Sequence, residues 1–128
     1  MVRRWMWRGA DHRREVVVFA EFCSVATIGV TMTFEWDEAK NRSNIRKHGL
    51  DFADAEEMFR SVLVIEPDTR EDYGEKRWIG IGTIRGRTIA VIFTEPAPET
   101  IRIISLRRVH REERKEYEKA LQDGLEAY

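Results

Sequence analysis

The side chains of this sequence able to move protons or hold anions are not spread evenly. Lys40, Arg46, Lys47 and His48 fall in one run, Arg77 stands beside Trp78, Glu95 and the pair Arg107-Arg108 close two β-rich runs, and Tyr117 follows in a charged segment. His, Lys, Glu and Tyr can take or give a proton at a reacting oxygen. The planar fork of Arg meets two oxygens of a phosphate or carboxylate at once. Metal chemistry has little footing: there is one cysteine, Cys23, and His12, His48 and His110 are far apart, with no H-x-x-x-H spacing. The lone cysteine also excludes an internal disulfide, so a reducing cytoplasm fits.

Each of these residues also has a plainer role. Lys47 sits in the last turn of an expected helix, where a cation complements the dipole. Arg77 at a strand entry discourages edge pairing, Glu95 solvates a strand end, and Glu113 and Arg114 form a surface pair of little energetic weight. Tyr117 begins the apolar stripe Tyr117, Leu121, Leu125, with Ala120 alongside, and so reads as core with its hydroxyl at the edge.

The elements that must position them follow from pattern. Phe34–Trp36 is a short aromatic strand, and Asp37 then caps a helix running to His48 and ending at Gly49, free to take the left-handed conformation. With only Ala39 and Ile45 as apolar anchors, that helix should bury little. Asp51 caps a second short helix carrying Phe52, Ala55 and Met58/Phe59 at helical spacing. Strands are expected at Val62–Glu66, Arg77–Ile84, Arg87–Glu95 and Ile101–Arg107, with Arg85-Gly86 as a hairpin turn and Pro96 and Pro98 kept outside the ladder. A helix from Arg111 to about Ala127 closes the chain. Strict alternation puts Arg107 on a face with Ser105 and Ile103, and Arg108 with Leu106, Ile104 and Arg102. The expectation is an α+β domain: two N-terminal helices, an antiparallel sheet of three to four strands plus a short N-terminal strand, and one C-terminal helix. One sheet face packs on helices and the other stays available.

At 128 residues the chain is the size of one domain, and charged residues at 35% nearly cancel to a net charge of -1. That balance argues against a nonspecific DNA-coating protein and leaves room for a local basic patch. Residues 1–31 differ from the rest: five basic residues against three acids, whereas Met32 onward holds 17 basic and 20 acidic. The apolar run Val16–Val30 behind them carries Glu21, lacks a small-x-small cleavage site and is short for a bilayer. Met32 is therefore the expected true start, with 1–31 an extension, or else a tail that packs as an extra strand; 32–128 is the expected domain.

Four segments in order carry a resemblance: Phe34–Phe59 beginning FEWDEAKNRSNIRKHGL, Asp72–Gly82 (DYGEKRWIGIG), Ile101–Arg108 (IRIISLRR) and His110–Tyr117 (HREERKEY). Together, over residues 33–118, they resemble the BrnT family of toxins. The opening W-D-x-x-K-x-x-x-N-x-x-K-H-G and the strand R-I-I-S-x-R are the specific parts. The resemblance implies a RelE-like fold and cofactor-free, metal-independent cleavage of RNA by 2′-hydroxyl attack. It also implies inhibition of translation and growth, and neutralisation by a ribbon-helix-helix antitoxin through which alone operator DNA is reached.

Such cleavage needs a base for the 2′-hydroxyl, charge on the phosphorane and a proton for the leaving 5′-oxygen. Under the resemblance His48 becomes an acid/base, Lys47 a phosphate ligand, and Arg77 with Arg107 a clamp from neighbouring strands. Tyr117 and Glu95 are further catalytic candidates, while Lys40, Arg46 and Arg108 contact RNA. Convergence of Lys47, His48, Arg77 and Arg107 in one cleft would favour catalysis. The alternatives are a non-catalytic module binding protein or nucleic acid, and a corepressor subunit.

Overall fold

The computed structural model describes residues 2–8, 15–21, 32–60, 62–70 and 72–126. His12, Cys23 and the expected helix end at Ala127 lie outside the described residues, as does the side chain of Leu125. The strands are β1 (Val2–Arg8), β2 (Glu15–Glu21), β3 (Thr33–Trp36), β4 (Val62–Pro67), β5 (Trp78–Ile84), β6 (Arg87–Ala97) and β7 (Thr100–Arg108). The helices are α1 (Glu38–His48), a 3₁₀ turn Phe52–Asp54 running into the single turn α2 (Ala55–Met58), and α3 (Arg111–Glu126).

Among the described residues one sheet holds all seven strands, in the order β1-β2-β4-β5-β6-β7-β3. β4 to β7 form the expected antiparallel meander, and β2 pairs antiparallel with β4 from Glu15↔Ile65 to Val18↔Val62. The sheet is mixed rather than antiparallel throughout, because β3 lies parallel to β7 with Phe34 opposite Ile101 and Trp36 opposite Ile103. That crossover places the chain at the β7 edge, from which α1 starts.

The sheet has two covered faces, not one. On the first, Phe52, Met58 and Phe59 pack on Leu63, Ile65, Val91, Phe93, Ile101, Ile103 and Leu106. Phe59 is the hub of the aromatics, 5.4 Å from Phe34 and 5.0 Å edge-on to Phe93. On the second, Tyr117 and Ala120 of α3 close over Val64, Ile81 and Ala90. The face expected to stay available is thus largely occupied by the stripe of α3, whose apolar residues need a partner to leave water.

Two local devices set what the sheet presents. The β5–β6 turn has positive φ at both Arg85 (49°) and Gly86 (78°), the double left-handed geometry that matches strand twist. The non-glycine position is held by Arg85 N–H donating to Glu57 at 2.7 Å and its guanidinium reaching Asp54 at 3.1 Å. Between β6 and β7 the register shifts: Ile92 pairs with Ser105 but Phe93 with Ile103, leaving Ile104 as an extra residue. A second shift, between Thr94 and Ala97, accommodates Pro96, which falls within the span of β6 but pairs with no residue of β7 and so stays out of the ladder as expected.

Candidate active site

The helix α1 forms as expected. Asp37 accepts from the N–H groups of Ala39 (2.8 Å) and Lys40 (3.2 Å), and Gly49 closes it at φ 68°. Its attachment differs from expectation. Ile45 is 41% exposed and Ala39 is exposed, while the buried residues are Asn41 and Asn44. The amide of Asn41 donates to Asp51 (3.0 Å) and accepts from Phe52 N–H (2.9 Å). The Ala53 N–H and that amide hold the Asp51 carboxyl below the usual carboxylate range. Asn44 donates to Leu50 O (3.0 Å) and accepts from Leu106 N–H (3.1 Å). Two asparagines thus dock a polar helix by hydrogen bonds, leaving Lys40, Arg46, Lys47 and His48 exposed.

The extra residue in β7 reverses the expected faces beyond it. Leu106 joins Ile101 and Ile103 on the α1 side, and Arg107 stands opposite Ala90, on the α3 side. There Arg107 meets Glu113, with both prongs of the fork on both carboxylate oxygens at 2.8 and 2.9 Å. Glu113 therefore pairs with the sheet and not with Arg114, which bonds Glu118 at 3.3 Å. Glu113 also accepts from His110 N–H at 2.8 Å. The Arg107 guanidinium first, and that N–H second, pull the Glu113 carboxyl down to about 2, while Glu113 raises Arg107.

The pair forms one side of a groove of about 380 Å³, opposite Asp68 and Arg70 with Ile79 between. The Asp68 side chain is fully buried and grips Arg70 at 2.8 and 2.9 Å. Those bonds lower the Asp68 carboxyl, with the Tyr73 hydroxyl adding to them. Tyr117 lies behind Glu113, 7% exposed, and burial raises its hydroxyl so that it stays protonated at neutral pH. The groove is thus lined by two arginines, each held by a carboxylate.

The expected residues divide. Arg107 lines this groove, whereas Tyr117 lies outside it, behind Glu113, in a small space shared with Val64 and Ile81. Lys47 and His48 ride on α1, packed against the other face. Arg77 is half-buried, stacks 4.1 Å over Tyr73 and bonds Glu75 at 3.2 Å. It does not stand on a strand next to that of Arg107. β6 lies between β5 and β7, and Trp78 sits at the level of Phe93 while Arg107 sits at that of Ala90. The two are roughly 13 Å apart along the sheet and about 10 Å across it. Glu95 and Arg108 are exposed at opposite reaches of the β6–β7 pair. Arg70, Asp68, Glu113 and His110 were not singled out from sequence as site residues. The pair spacing R-x-x-x-x-x-E from Arg107 to Glu113 is visible only once a strand end is known to turn into a helix.

Among the described residues no three His, Cys, Asp or Glu side chains gather as a metal-ligand set, and no helix is long and apolar enough to cross a membrane.

A family model described as ribonuclease toxin, BrnT, of type II toxin-antitoxin system matches residues 36–113. The 1.1 Å crystal structure of the Brucella abortus ribonuclease toxin BrnT is similar at 38% identity and a TM-score of 0.50, covering 63% of this chain and all of that one. No curated protein matches the chain. The matched span runs from the end of β3 to Glu113 and contains every polar residue of the groove.

Proposed function

We propose that this chain, which belongs to the BrnT family of ribonuclease toxins of type II toxin–antitoxin systems, cuts RNA at the Arg107–Glu113 groove by attack of the 2′-hydroxyl. The observation that carries this reading is the bidentate Arg107–Glu113 pair, set in a groove beside a second paired arginine.

The chemistry follows from exchange of partners. A phosphodiester offers Arg107 the same two-oxygen geometry as Glu113 does. Once the fork turns to phosphate, Glu113 loses the main cause of its low pKa and becomes basic enough to take the 2′-hydroxyl proton. Arg107, with Arg70 across the groove, neutralises the charge growing on the phosphorane. His110, tied to Glu113 through its backbone, supplies a proton to the leaving 5′-oxygen. This leaves a 2′,3′-cyclic phosphate on one fragment and a 5′-hydroxyl on the other. Lys47 and His48, with Lys40 and Arg46, then serve the path of the RNA over α1, and Arg77 serves it from the entry to β5.

Cleavage of RNA by this route inhibits translation and growth. A type II system supplies a protein antitoxin, here of the ribbon-helix-helix kind that the resemblance implies, and operator DNA is met only through their complex.

The test is incubation of the purified chain with RNA in EDTA, followed by analysis of the 3′ ends. Cyclic phosphate ends, lost in Arg107→Ala and His110→Ala and retained in His48→Ala, are expected. Loss in His48→Ala with retention in His110→Ala would move the acid to α1. Intact RNA across many sequences, with the protein folded and free of antitoxin, would end the enzyme reading.

A further inference from the structure

Where β7 ends and α3 begins, a second recess of about 560 Å³ opens beside the groove. Its rim is formed by Arg87 and Thr88 of β6, Arg108 of β7, and His110, Arg111 and Arg114 of the turn into α3. Among the described residues, only Arg114 of these four guanidiniums has a carboxylate partner. That partner is Glu118 at 3.3 Å, and both members of the pair are more than 60% exposed.

Such an arrangement has no account in stability. Four like charges round one recess repel one another. Arg111 and Arg114 stand in the first turns of a 16-residue helix, at the positive end of its dipole, where acids and not cations are stabilising. Of the two acids in that first turn, Glu112 and Glu113, the second is engaged by Arg107. The arrangement becomes favourable when an anion occupies the recess.

We propose that this recess is a backbone-phosphate subsite for single-stranded RNA, seating a phosphate next to the one held at Arg107. The proposal rests on the ribonuclease reading for the identity of the polyanion. Arg107 and Arg108 are consecutive, with Cα atoms about 3.8 Å apart, and they alternate sides at the strand end. One RNA strand passing over the close of β7 therefore meets the groove and then the recess. Phosphate fits better than a protein surface. Interfaces are anchored by buried aromatic and aliphatic side chains, whereas the one sizeable apolar side chain here, Val109, is already packed on the second core.

The experiment measures binding of a short 2′-O-methyl RNA, which has no free 2′-hydroxyl to attack, by fluorescence anisotropy between about 50 and 200 mM salt. In the double variant Arg87→Gln/Arg111→Gln the affinity should fall about tenfold. The slope of log affinity against log salt should become shallower by roughly 0.7 for each phosphate that is no longer neutralised. In cleavage of ordinary RNA the same variant should raise KM, with kcat within about twofold. Arg87→Lys/Arg111→Lys should restore most of the slope. The single variant Arg87→Gln, at an exposed strand start, gives the same readout if the double variant melts early.

Unchanged affinity and slope in a folded double variant overturn the proposal. So does lost antitoxin binding with RNA binding intact, which would assign the recess to an acidic protein segment. A wild-type chain that binds the 2′-O-methyl RNA in this manner yet cuts no RNA would overturn the ribonuclease reading and spare the subsite.

Discussion

Arg107, from the end of a strand, and Glu113, from the first turn of the following helix, hold each other through two parallel bonds of 2.8 and 2.9 Å with about a fifth to a quarter of each side chain exposed. The pair fixes the angle at which α3 leaves the sheet, because Glu113 also takes the His110 N–H. Its dependence on pH follows from the carboxyl, drawn down to about 2 from an ordinary 4.5. A carboxyl with a depressed folded pKa stabilises the protein fully above its unfolded value and loses that contribution as pH falls through the folded one. The melting temperature should therefore drop between about pH 4.5 and pH 2. In Glu113→Gln that part of the drop should vanish, at a cost of about 1–2 kcal/mol at neutral pH. Thermal melts of both proteins across that range check it; parallel curves would show that the pair carries no linkage.

The same variant should lose cleavage by about 10²–10⁴-fold if Glu113 takes the 2′-hydroxyl proton. Arg107→Lys separates charge from geometry. A lysine keeps the cation but offers one point of attachment in place of a fork. Cleavage should fall about 10²–10³-fold in kcat, with the melting temperature little changed. Single-turnover rates at saturating RNA are the measurement, and full activity in Arg107→Lys would show that only charge is needed.

Much of the fold was legible from residues close in sequence: the caps at Asp37, Gly49 and Asp51 and the meander each depend on such neighbours. The orientation of Arg107 was not. Alternation puts it with Ile103, and one extra residue at Ile104 reverses it. That irregularity depends on the pairing partner β6, and no local pattern in IRIISLRR reports it. The docking of α1 was hidden for a similar reason. Asn41 and Asn44 look like surface residues of a polar helix until the groups they satisfy, the N–H of Phe52 and of Leu106, are placed beside them. The arginine recess, too, joins Arg87 to Arg111 only through tertiary pairing. The parallel seat of β3 lay beyond any reading of residues 34–36 alone.

Asn44 supplies a direct test of that docking. Its side chain is buried, and its oxygen is the acceptor for the Leu106 N–H next to the register shift. Asn44→Ala removes that acceptor and leaves a buried donor unsatisfied, a cost of about 1–3 kcal/mol. Asn44→Asp keeps an acceptor for Leu106 but loses the donor to Leu50 O, at 3.0 Å in the parent. Chemical denaturation should rank both below the wild type. Faster hydrogen exchange at Leu106 in Asn44→Ala would localise the loss. An unchanged midpoint for both variants would show that α1 is held by something other than its asparagines.

Tyr117 stands where core and catalysis are hardest to separate. Its ring packs with Ala120 on Val64, Ile81 and Ala90, and its hydroxyl borders the space beneath Glu113. At 7% exposure, and with burial raising its pKa, the phenol stays protonated at neutral pH and cannot act as a base there. It has little access to a substrate in the groove. Tyr117→Phe should therefore keep the melting temperature within a few degrees and cleavage within about threefold, whereas Tyr117→Ala should cost about 3–5 kcal/mol by opening a cavity under α3. The two variants measured side by side, for melting and for single-turnover cleavage, separate the roles. A loss of 10²-fold or more in Tyr117→Phe at unchanged stability would instead put the hydroxyl at the reacting atoms, as proton donor to the leaving oxygen in place of His110.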